Sequence, residues 1–393
     1  MPGWKHGETA KVLYATLVGS MDTNAIIPII SFYSVALGAD LLMVGLIVGA
    51  YSIAHVPANL VFGRVVDRIG RRRPLVYGLL WDAVSVALYA IATTPIGLLV
   101  VRLSHGLGGG FVGPASMSLV AGHAPPGRMG RSLALYGISI AIAVILGFGV
   151  AGVAASRGAY QPLFFGLAFA LWTGAIVAAR VHEPITAVAK RPPLNRAAFL
   201  AFLRSAYPFA GYASIFALYF LLGALVTIAP YFEGPPVELT DARFAIALLV
   251  FAVVSVVVHY PSGIVADRFG PAIPCGLGLG AIGAAVALLP FSPSYTALIG
   301  LMALFGLGHG LVFPSSSALI SKFAHADFLG LATGTFYAIL VAGVAIGAPL
   351  TGAIANATSG AMALWTAALV AGATFLVVLV AVSSARQRLR SAG

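Results

Sequence analysis

Long apolar segments separated by short polar turns follow one another along almost the entire chain. A helix needs about 20 apolar residues to cross a hydrocarbon core of roughly 30 Å. Twelve segments meet this standard, and we predict a transmembrane helix for each: 11–36, 42–62, 74–93, 95–122, 132–155, 160–180, 206–232, 242–262, 272–291, 294–320, 329–355 and 360–383. The pattern predicts an all-α integral membrane protein.

A polar stretch divides the twelve segments into two groups of six. It contains Lys190-Arg191-Pro192-Pro193 and is the longest interruption of the apolar pattern. We therefore predict an N-terminal six-helix bundle at 1–180, a cytoplasmic linker at 181–205 and a C-terminal six-helix bundle at 206–393.

The two groups repeat one another with a shift of 200 residues. Glycines, a proline and a serine of the first group recur in this frame, as Gly106/Gly306, Gly108/Gly308, Gly110/Gly310, Pro114/Pro314, Ser116/Ser316, Gly147/Gly347 and Gly152/Gly352. A shared frame across several segments is typical of secondary transporters built from two parallel repeats. The sequence thus predicts two pseudo-symmetric bundles.

Composition and charge support a lipid environment. The chain is 60% hydrophobic and 8% charged, whereas a soluble domain carries roughly 25% charged residues. Most basic residues lie at the termini and in the loops that face the same side, so the positive-inside rule predicts cytoplasmic termini in a cell inner membrane. This placement argues against a nucleic-acid partner despite the net charge of +11. We expect no cleavable signal peptide, and Cys275, the single cysteine, excludes an intrachain disulfide.

A dense group of charges follows the second segment, in the run Gly63-Arg64-Val65-Val66-Asp67-Arg68-Ile69-Gly70-Arg71-Arg72-Arg73. Its skeleton returns in the same frame at Gly263, Asp267, Arg268 and Gly270, with Pro271 in place of the trailing arginines. A glycine permits close helix approach, a carboxylate can meet a helix N-terminus or an arginine, and arginines favour the anionic leaflet.

Twelve spans, a central linker and this repeated motif resemble the major facilitator superfamily, over essentially the whole chain. The resemblance implies alternating access, with helices 1, 4, 7 and 10 lining a central cavity. It also implies a cytoplasmic latch, formed by Gly63, Asp67, Arg68, Gly70, Arg71, Asp267 and Arg268. The second copy should latch more weakly because it lacks the trailing arginines.

The fourth segment carries Arg102-Leu103-Ser104-His105-Gly106, which resembles a second motif of the family, with His105 where glutamine is usual. In drug–proton antiporters of the family this arginine is tied to proton coupling. The antiporter signature of the fifth helix departs from the pattern, because residues 147–152 lack its proline. A closer likeness lies at 343–352, in the other half.

Three ionisable residues other than histidine remain inside the spans: Asp22, Asp82 and Arg102. Each costs roughly 2.5–3.5 kcal/mol at mid-bilayer, so such residues are usually functional. Asp22 and Arg102 lie at similar predicted depths, and we expect them to form an ion pair that protonation of Asp22 would release. Asp82 lies on a helix that is peripheral in the family, and we expect it to pair structurally with a neighbour.

Four histidines also fall within spans: His55, His105, His259 and His309. His105 joins the proposed coupling residues because it lies one turn from Arg102. No single helix has metal-ligand spacing, so we expect no metal. For the cavity wall of the second half we expect aromatic and hydroxyl side chains, namely Tyr212, Tyr219, Phe220, His309, Ser315 and Ser316.

These features favour a secondary active transporter that exports small amphiphilic or cationic compounds by proton antiport. A symporter or facilitator of a small organic anion or sugar is the alternative, although the spans are poor in the amides and acids of sugar sites. A membrane sensor would need a soluble domain that the short loops do not supply. No nucleophile–base pair and no nucleotide-binding motif occurs, so we expect neither an enzyme nor ATP-driven transport. We expect no cofactor, and a monomer.

Overall fold

The computed structural model describes residues 6–124, 128–183, 196–325 and 329–391. This part of the chain forms thirteen α-helices and two short 3₁₀ turns, with no strand. The helices are α1 (His6–Ala36), α2 (Leu41–Ile69), α3 (Arg72–Tyr89), α4 (Pro95–His123), α5 (Met129–Ala155), α6 (Tyr160–Ala179), α7 (Arg196–Arg204), α8 (Ala206–Ile228), α9 (Asp241–Phe269), α10 (Ala272–Leu288), α11 (Tyr295–Ser321), α12 (Leu329–Ala357) and α13 (Gly360–Ser391).

Each of the twelve predicted segments is a helix, so the prediction of an all-α membrane fold is confirmed. The short α7, which precedes the seventh segment, is the one described helix that was not predicted. Eleven of the helices in the described ranges are long and apolar enough to cross a membrane. The helix α3 differs because its 18 residues include Arg72, Arg73 and Asp82.

The chain divides into two compact units. The first comprises Met1–Val188 with Thr240–Ile246, and the second comprises Ala189–Leu239 with Ala247–Gly393. In the first unit α1 packs against α4, α5 and α6, while α3 packs against α4 and α6, and α2 against α4. The predicted domain limits at 180 and 206 remain a prediction.

The second unit repeats these helix pairs. Its first long helix, α8, packs against α11, α12 and α13, and α10 packs against α11 and α13. Close contacts recur with the same shift: a Cβ added to Gly106 would overlap the carbonyl oxygen of Tyr51, and one added to Gly306 would lie 2.5 Å from that of Phe251. The sequence repeat therefore corresponds to repeated packing inside each unit.

Helix starts follow the same repeat. Thr94 caps α4 by accepting a hydrogen bond from the Gly97 amide at 3.1 Å. Ser294, 200 residues later, caps α11 by accepting from the Ala297 amide at 3.3 Å. Such side chains satisfy backbone N–H groups that have no partner inside the helix. The helices α4 and α11 therefore begin at equivalent positions of the 200-residue repeat.

The turn after α2 depends on a glycine conformation and on an acid from beyond α6. Gly70 has φ of 91° and ψ of 176°, a region that is almost restricted to glycine. Glu183 accepts hydrogen bonds from the amides of Arg71 and Arg72, the latter at 3.2 Å. The carboxylate thus satisfies backbone groups at the start of α3, where a helix end favours a negative charge.

Among the described residues, the corresponding turn after α9 has the glycine but no acid beside it. Gly270 has φ of 87°, yet a Cβ added to it would meet no atom within 4 Å. A Cβ added to Gly70 would lie 2.8 Å from the Glu183 carboxylate. The two copies of the motif thus share a backbone conformation and differ in their surroundings.

This difference predicts unequal costs for two equivalent substitutions. Gly70→Ala and Gly270→Ala should each lower stability by about 1–2 kcal/mol through the positive φ, and Gly70→Ala should cost more because it also displaces Glu183. Thermal unfolding of the purified variants in detergent measures this order. Equal losses for both variants would contradict the assigned role of Glu183.

Candidate functional site

Four ionisable side chains come together inside the first unit. Asp22 lies on α1, Asp82 on α3, and Arg102 and His105 on α4. Their exposed fractions are 1%, 1%, 3% and 0%. Ionised groups buried to this degree are retained only where they are paired or functional, because their desolvation is costly. We call these four residues the buried cluster.

Asp22 and His105 form the direct hydrogen-bonded pair of the cluster. The Nε2 atom of His105 lies 3.0 Å from Oδ2 of Asp22, and the Thr23 amide donates to the other oxygen at 2.5 Å. The expected ion pair between Asp22 and Arg102 is wrong: within the described residues Asp22 pairs with His105 instead. The reason is geometric, because His105 lies one turn further along α4, at the level of Asp22.

Arg102 is held by two tyrosines. Its guanidinium lies over the Tyr51 ring, 5.2 Å from the centroid, and its Nη1 donates to the Tyr89 hydroxyl at 3.4 Å. A cation over an aromatic face is stabilised by the ring quadrupole. The Nε atom of Arg102 is buried without a hydrogen-bond partner. The arginine therefore keeps one unused donor.

Tyr89 connects the arginine to the Asp22–His105 pair. Its hydroxyl lies 3.2 Å from Nδ1 of His105. One assignment of hydrogens satisfies the whole series: Arg102 donates to Tyr89, Tyr89 donates to His105, and the Nε2–H of a neutral His105 donates to Asp22. The positive charge of Arg102 and the negative charge of Asp22 are thus the two ends of one hydrogen-bonded chain.

Asp82 belongs to the same cluster, so the expectation of a peripheral structural role does not fit its position. Ligand atoms of Asp82, Asp22 and His105 lie within 4.8 Å of one another. Oδ1 of Asp82 is buried without a hydrogen-bond partner. Two ionised carboxylates at this separation repel by about 3.5 kcal/mol at an effective dielectric constant of 20. A signal for this was present in the polar stripe Asp82, Ser85 and Tyr89, spaced as one helix face.

The three groups Asp22, Asp82 and His105 are also those that could hold a small cation. Spacing along one helix could not reveal them, because the three side chains come from α1, α3 and α4. With both acids ionised, Arg102 positive and His105 neutral, the cluster carries one net negative charge. A single proton or monovalent ion balances this charge, whereas a divalent metal would leave an excess positive charge beside Arg102.

Glycines on α4 make room for the cluster. A Cβ added to Gly108 would overlap Oδ1 of Asp82, and one added to Gly109 would overlap the Tyr51 hydroxyl. Small residues allow membrane helices to approach closely. The glycine-rich stretch of α4 therefore brings the polar faces of α2 and α3 into contact with it.

The equivalent positions of the second unit are apolar. In the 200-residue frame Asp22, Asp82, Arg102 and His105 correspond to Leu222, Ile282, Met302 and Phe305. The packing is nevertheless the same, since a Cβ added to Gly308 would lie 2.5 Å from the Ile282 side chain. The repeated scaffold therefore does not require the charges of the first unit.

The residues proposed for the cavity wall lie in the second unit and make local contacts. Tyr212 donates to the Ala332 carbonyl at 3.0 Å, and Nδ1 of His309 lies 2.7 Å from the Ser255 hydroxyl. Tyr219 is half-buried with its ring 6.1 Å from that of His309. Tyr212, Phe220, Ser315 and Ser316 are buried, and His309 is 9% exposed. Their role as a cavity wall remains a prediction.

The latch residues are described in part. The backbone of Gly63, Asp67 and Arg68 belongs to α2. The surroundings of Gly63 and the side chains of Asp67 and Arg68 lie outside the described part of the chain. Arg71 donates from its guanidinium to the Ser118 carbonyl at 3.1 Å. Gly70 and Arg71 therefore make contacts within the first unit, whereas Asp267 and Arg268 are exposed at the end of α9.

A helical membrane protein of two repeated units, with rare ionisable groups buried inside one of them, has the architecture of a secondary transporter. The sequence matches the Major Facilitator Superfamily over residues 12–272 and 212–392. The chain belongs to this family, whose members are transporters and not enzymes, and the predicted resemblance is confirmed.

Several known proteins are similar to the chain. It is 30% identical over 153 residues to an uncharacterized MFS-type transporter of Methanocaldococcus jannaschii, covering 39% of each chain. It is 28% identical over 194 residues to multidrug resistance protein 1 of Bacillus subtilis, covering 45% of this chain and 49% of that protein. The chain thus spans about half or less of the length of these relatives.

A solved structure is similar over nearly the whole chain. It is a bacterial homolog of the human lysosomal transporter Spinster, in an inward-facing and occupied conformation. The TM-score is 0.79 at 13% sequence identity, covering 98% of this chain and 96% of that one. At this level of identity the likeness supports the fold alone.

The fit between Gly108 and Asp82 predicts a specific loss of stability. Gly108→Ala should destabilise the protein by about 1–3 kcal/mol because the new methyl group overpacks against the carboxylate. Gly113→Ala, on the same helix with no atom within 4 Å of its added Cβ, should be neutral or stabilising by up to about 1 kcal/mol. Thermal unfolding measures both.

A double substitution separates this contact from general helix effects. Adding Asp82→Ala to Gly108→Ala should recover part of the loss, since the two sites are in contact and their effects should not add. Purely additive effects would show that Gly108 is not constrained by Asp82.

Proposed function

We propose that this transporter exports small amphiphilic or cationic compounds in exchange for protons. The observation that carries the proposal is the hydrogen-bonded chain from Arg102 through Tyr89 and His105 to Asp22, buried within the first unit. A buried carboxylate with a partner on another helix is a natural proton site. Because Arg102 lies at the other end of the chain, protonation of Asp22 also changes the electrostatic environment of Arg102.

Proton binding at Asp22 changes the charge balance of the chain. An ionised Asp22 ends the hydrogen-bonded chain with a negative charge that compensates Arg102, whereas protonation of Asp22 removes that charge from the chain. Removing one partner of a buried ion pair costs about 3–5 kcal/mol. Shifting a two-state equilibrium from 1:99 to 99:1 takes about 5.5 kcal/mol. A single proton is thus of the right energetic size to favour one conformation of an alternating-access cycle over another.

Two further observations support the substrate class. The second unit carries apolar and aromatic side chains where the first carries charges, which suits a ligand with a large apolar part. A relative that is 28% identical over part of the chain is a multidrug resistance protein. Both point to lipophilic compounds rather than to strongly hydrophilic ones.

A small organic anion is the second candidate, because one observation favours it. The Nε atom of Arg102 is a buried donor with no partner, and a carboxylate or phosphate group is the usual complement of a guanidinium. Competition of an aromatic carboxylate such as benzoate against dye export distinguishes the two candidates. Transport of benzoate without any transport of cationic dyes would favour the anion.

We also propose the predicted orientation and latch for the cycle. Both termini would face the cytoplasm of an inner membrane, and Gly63, Asp67, Arg68, Gly70 and Arg71 would hold that side closed, with a weaker contribution from Asp267 and Arg268. The exposed position of Asp267 and Arg268, and the absence of an acid beside Gly270, support the weaker second copy. The protein would act as a monomer.

Asp22→Asn tests the coupling directly. The carboxamide keeps the shape of the side chain but cannot change its charge, so pH-gradient-driven export of ethidium and tetraphenylphosphonium should fall at least tenfold in vesicles. Asp40→Asn, which removes a carboxylate that only caps α2, should retain near-normal export. Thermal unfolding of both variants confirms that they are folded.

The result that rejects the coupling scheme is undiminished proton-driven export by a folded Asp22→Asn protein. Export by the unmodified protein that is insensitive to collapse of the pH gradient would reject proton antiport altogether.

Asp67→Asn tests the latch. Because the latch would act on conformational exchange and not on ligand contacts, the maximal export rate should fall severalfold while the half-saturating dye concentration stays within about twofold. Asp267→Asn is the matched control at the second copy and should have the smaller effect. A large loss of dye affinity with an unchanged maximal rate would speak against a latch.

A further inference from the structure

We propose that Asp82 is a proton-binding residue of the transport cycle, and that Asp82 and Asp22 form a carboxyl pair carrying one proton, held on Asp82 in this conformation. This inference deepens the proposed proton antiport and rests on it for its role in transport. The proton site itself can be tested without any substrate.

The first step of the argument is the position of Asp82. Its side chain is 1% exposed, and Oδ1 has no hydrogen-bond partner among the described residues. A carboxylate oxygen of Asp82 lies within 4.8 Å of a ligand atom of Asp22 and of His105. An ionised carboxylate with an unsatisfied oxygen, buried beside a second carboxylate, is strongly unfavourable. A protonated carboxyl group removes both the charge and the repulsion.

The second step is the charge balance. With the hydrogens assigned as above, the hydrogen-bonded chain from Arg102 to Asp22 joins one positive and one negative charge through a neutral His105. Asp82 is the one member of the buried cluster whose charge has no counter-charge in this arrangement. Its ionised form would give the buried cluster a net charge of −1, and its protonated form makes the cluster neutral. The proton on Asp82 is therefore the one that balances the site.

The groups that face Asp82 come from the helices packed against α3, which are α1, α2, α4 and α6. From α1 and α4 come Asp22, Arg102 and His105. The cluster side of α2 carries Tyr51 and His55, whose rings stack at 5.2 Å. The sequence of α6 contains no acidic, basic or histidine residue. With His105 and His55 neutral, Arg102 is the one cation among these named groups, and Asp22 already compensates it.

The third step is the comparison with the second unit. The residue equivalent to Asp82 is Ile282, and its side chain lies against Gly308 as Asp82 lies against Gly108. The repeated packing thus accepts an apolar side chain at this place. An acid is not needed there to build the fold, so its presence is explained by what the acid binds.

The proton step is simple. An O–H bond forms at Oδ1 of Asp82 with a proton taken from water on the more acidic side, and the same proton leaves to water on the other side after passing to Asp22. In the loaded state one of the two carboxyl groups is neutral, and in the unloaded state both are ionised. Two neighbouring carboxylates that repel one another titrate as a coupled pair, so a single proton belongs to the pair.

Infrared difference spectroscopy of the reconstituted protein, recorded between acidic and alkaline pH without substrate, tests the site. The unmodified protein should show the carbonyl band of a buried carboxylic acid at neutral pH. The band should be absent in Asp82→Asn and should shift in Asp82→Glu. Asp40→Asn, at the α2 cap, should retain it. A pH titration should show one fewer proton bound per chain for Asp82→Asn.

A second variant covers the case in which Asp82→Asn does not fold. Asp82→Ile copies the residue of the second unit and should fold, with a thermal midpoint equal to or above that of the unmodified protein. It should also lack the acid band. An unchanged band in either folded variant overturns the proposal.

A metal ion in place of the proton is a further outcome that overturns it. Sodium chloride should not alter the acid band relative to choline chloride, and manganese or zinc should not bind to a site that Asp82→Asn abolishes. Displacement of the band by sodium, or Asp82-dependent binding of manganese or zinc, would assign the cluster to a metal cation.

Transport assays separate the role of Asp82 from proton antiport itself. If the unmodified protein couples ethidium export to the pH gradient and Asp82→Asn loses this export, the result supports both proton antiport and the role of Asp82. Retained coupling in folded Asp82→Asn rejects the role of Asp82 while the antiport proposal stands. Absence of coupling in the unmodified protein rejects antiport, whereas the infrared result still decides whether Asp82 binds a proton.

Discussion

The interaction on which the site depends is the compensation of buried charge. Asp22 and Arg102 are almost completely buried, and each would be costly alone in a low-dielectric interior. Tyr89 and His105 connect them, so the two charges stabilise one another through directed hydrogen bonds rather than by direct contact. Any change in protonation at one end is therefore felt at the other, which lies on a different helix.

Close helix packing makes this chain possible. Glycines at 106, 108 and 109 of α4 leave no room for a Cβ, because the backbone of α2 and the side chains of Tyr51 and Asp82 occupy that space. In α11 the nearest atoms to an added Cβ belong to the Phe251 backbone at Gly306 and to the Ile282 side chain at Gly308. One scaffold thus carries buried charge in the first unit and buried apolar and aromatic side chains in the second. This asymmetry fits a transporter in which one repeat responds to protons and the other tolerates a lipophilic ligand.

The similarity to known proteins establishes the family and the fold of the chain. Membership of the major facilitator superfamily follows from matches over most of the chain, and the fold agrees with that of a solved transporter homolog at a TM-score of 0.79. Neither comparison identifies the coupling residues. The roles of Asp22, Arg102, His105 and Asp82 rest on burial, hydrogen-bond direction and charge balance, and these are properties of this chain.

The sequence alone determined the helices, the two repeats and the special residues of the motifs, because apolar length, glycine spacing and charge placement are local properties that the membrane makes strict. It also selected Asp22, Arg102 and His105, since buried ionisable residues are rare in such chains. Only the tertiary structure decided which of them touch. His105 lies one helical turn from Arg102 along α4, and this difference places His105 rather than Arg102 in hydrogen-bond contact with Asp22. The packing of α3 against α4 places Asp82 in the same cluster. Such choices depend on helix rotation and depth to within a few ångströms, and the residue pattern does not contain that information.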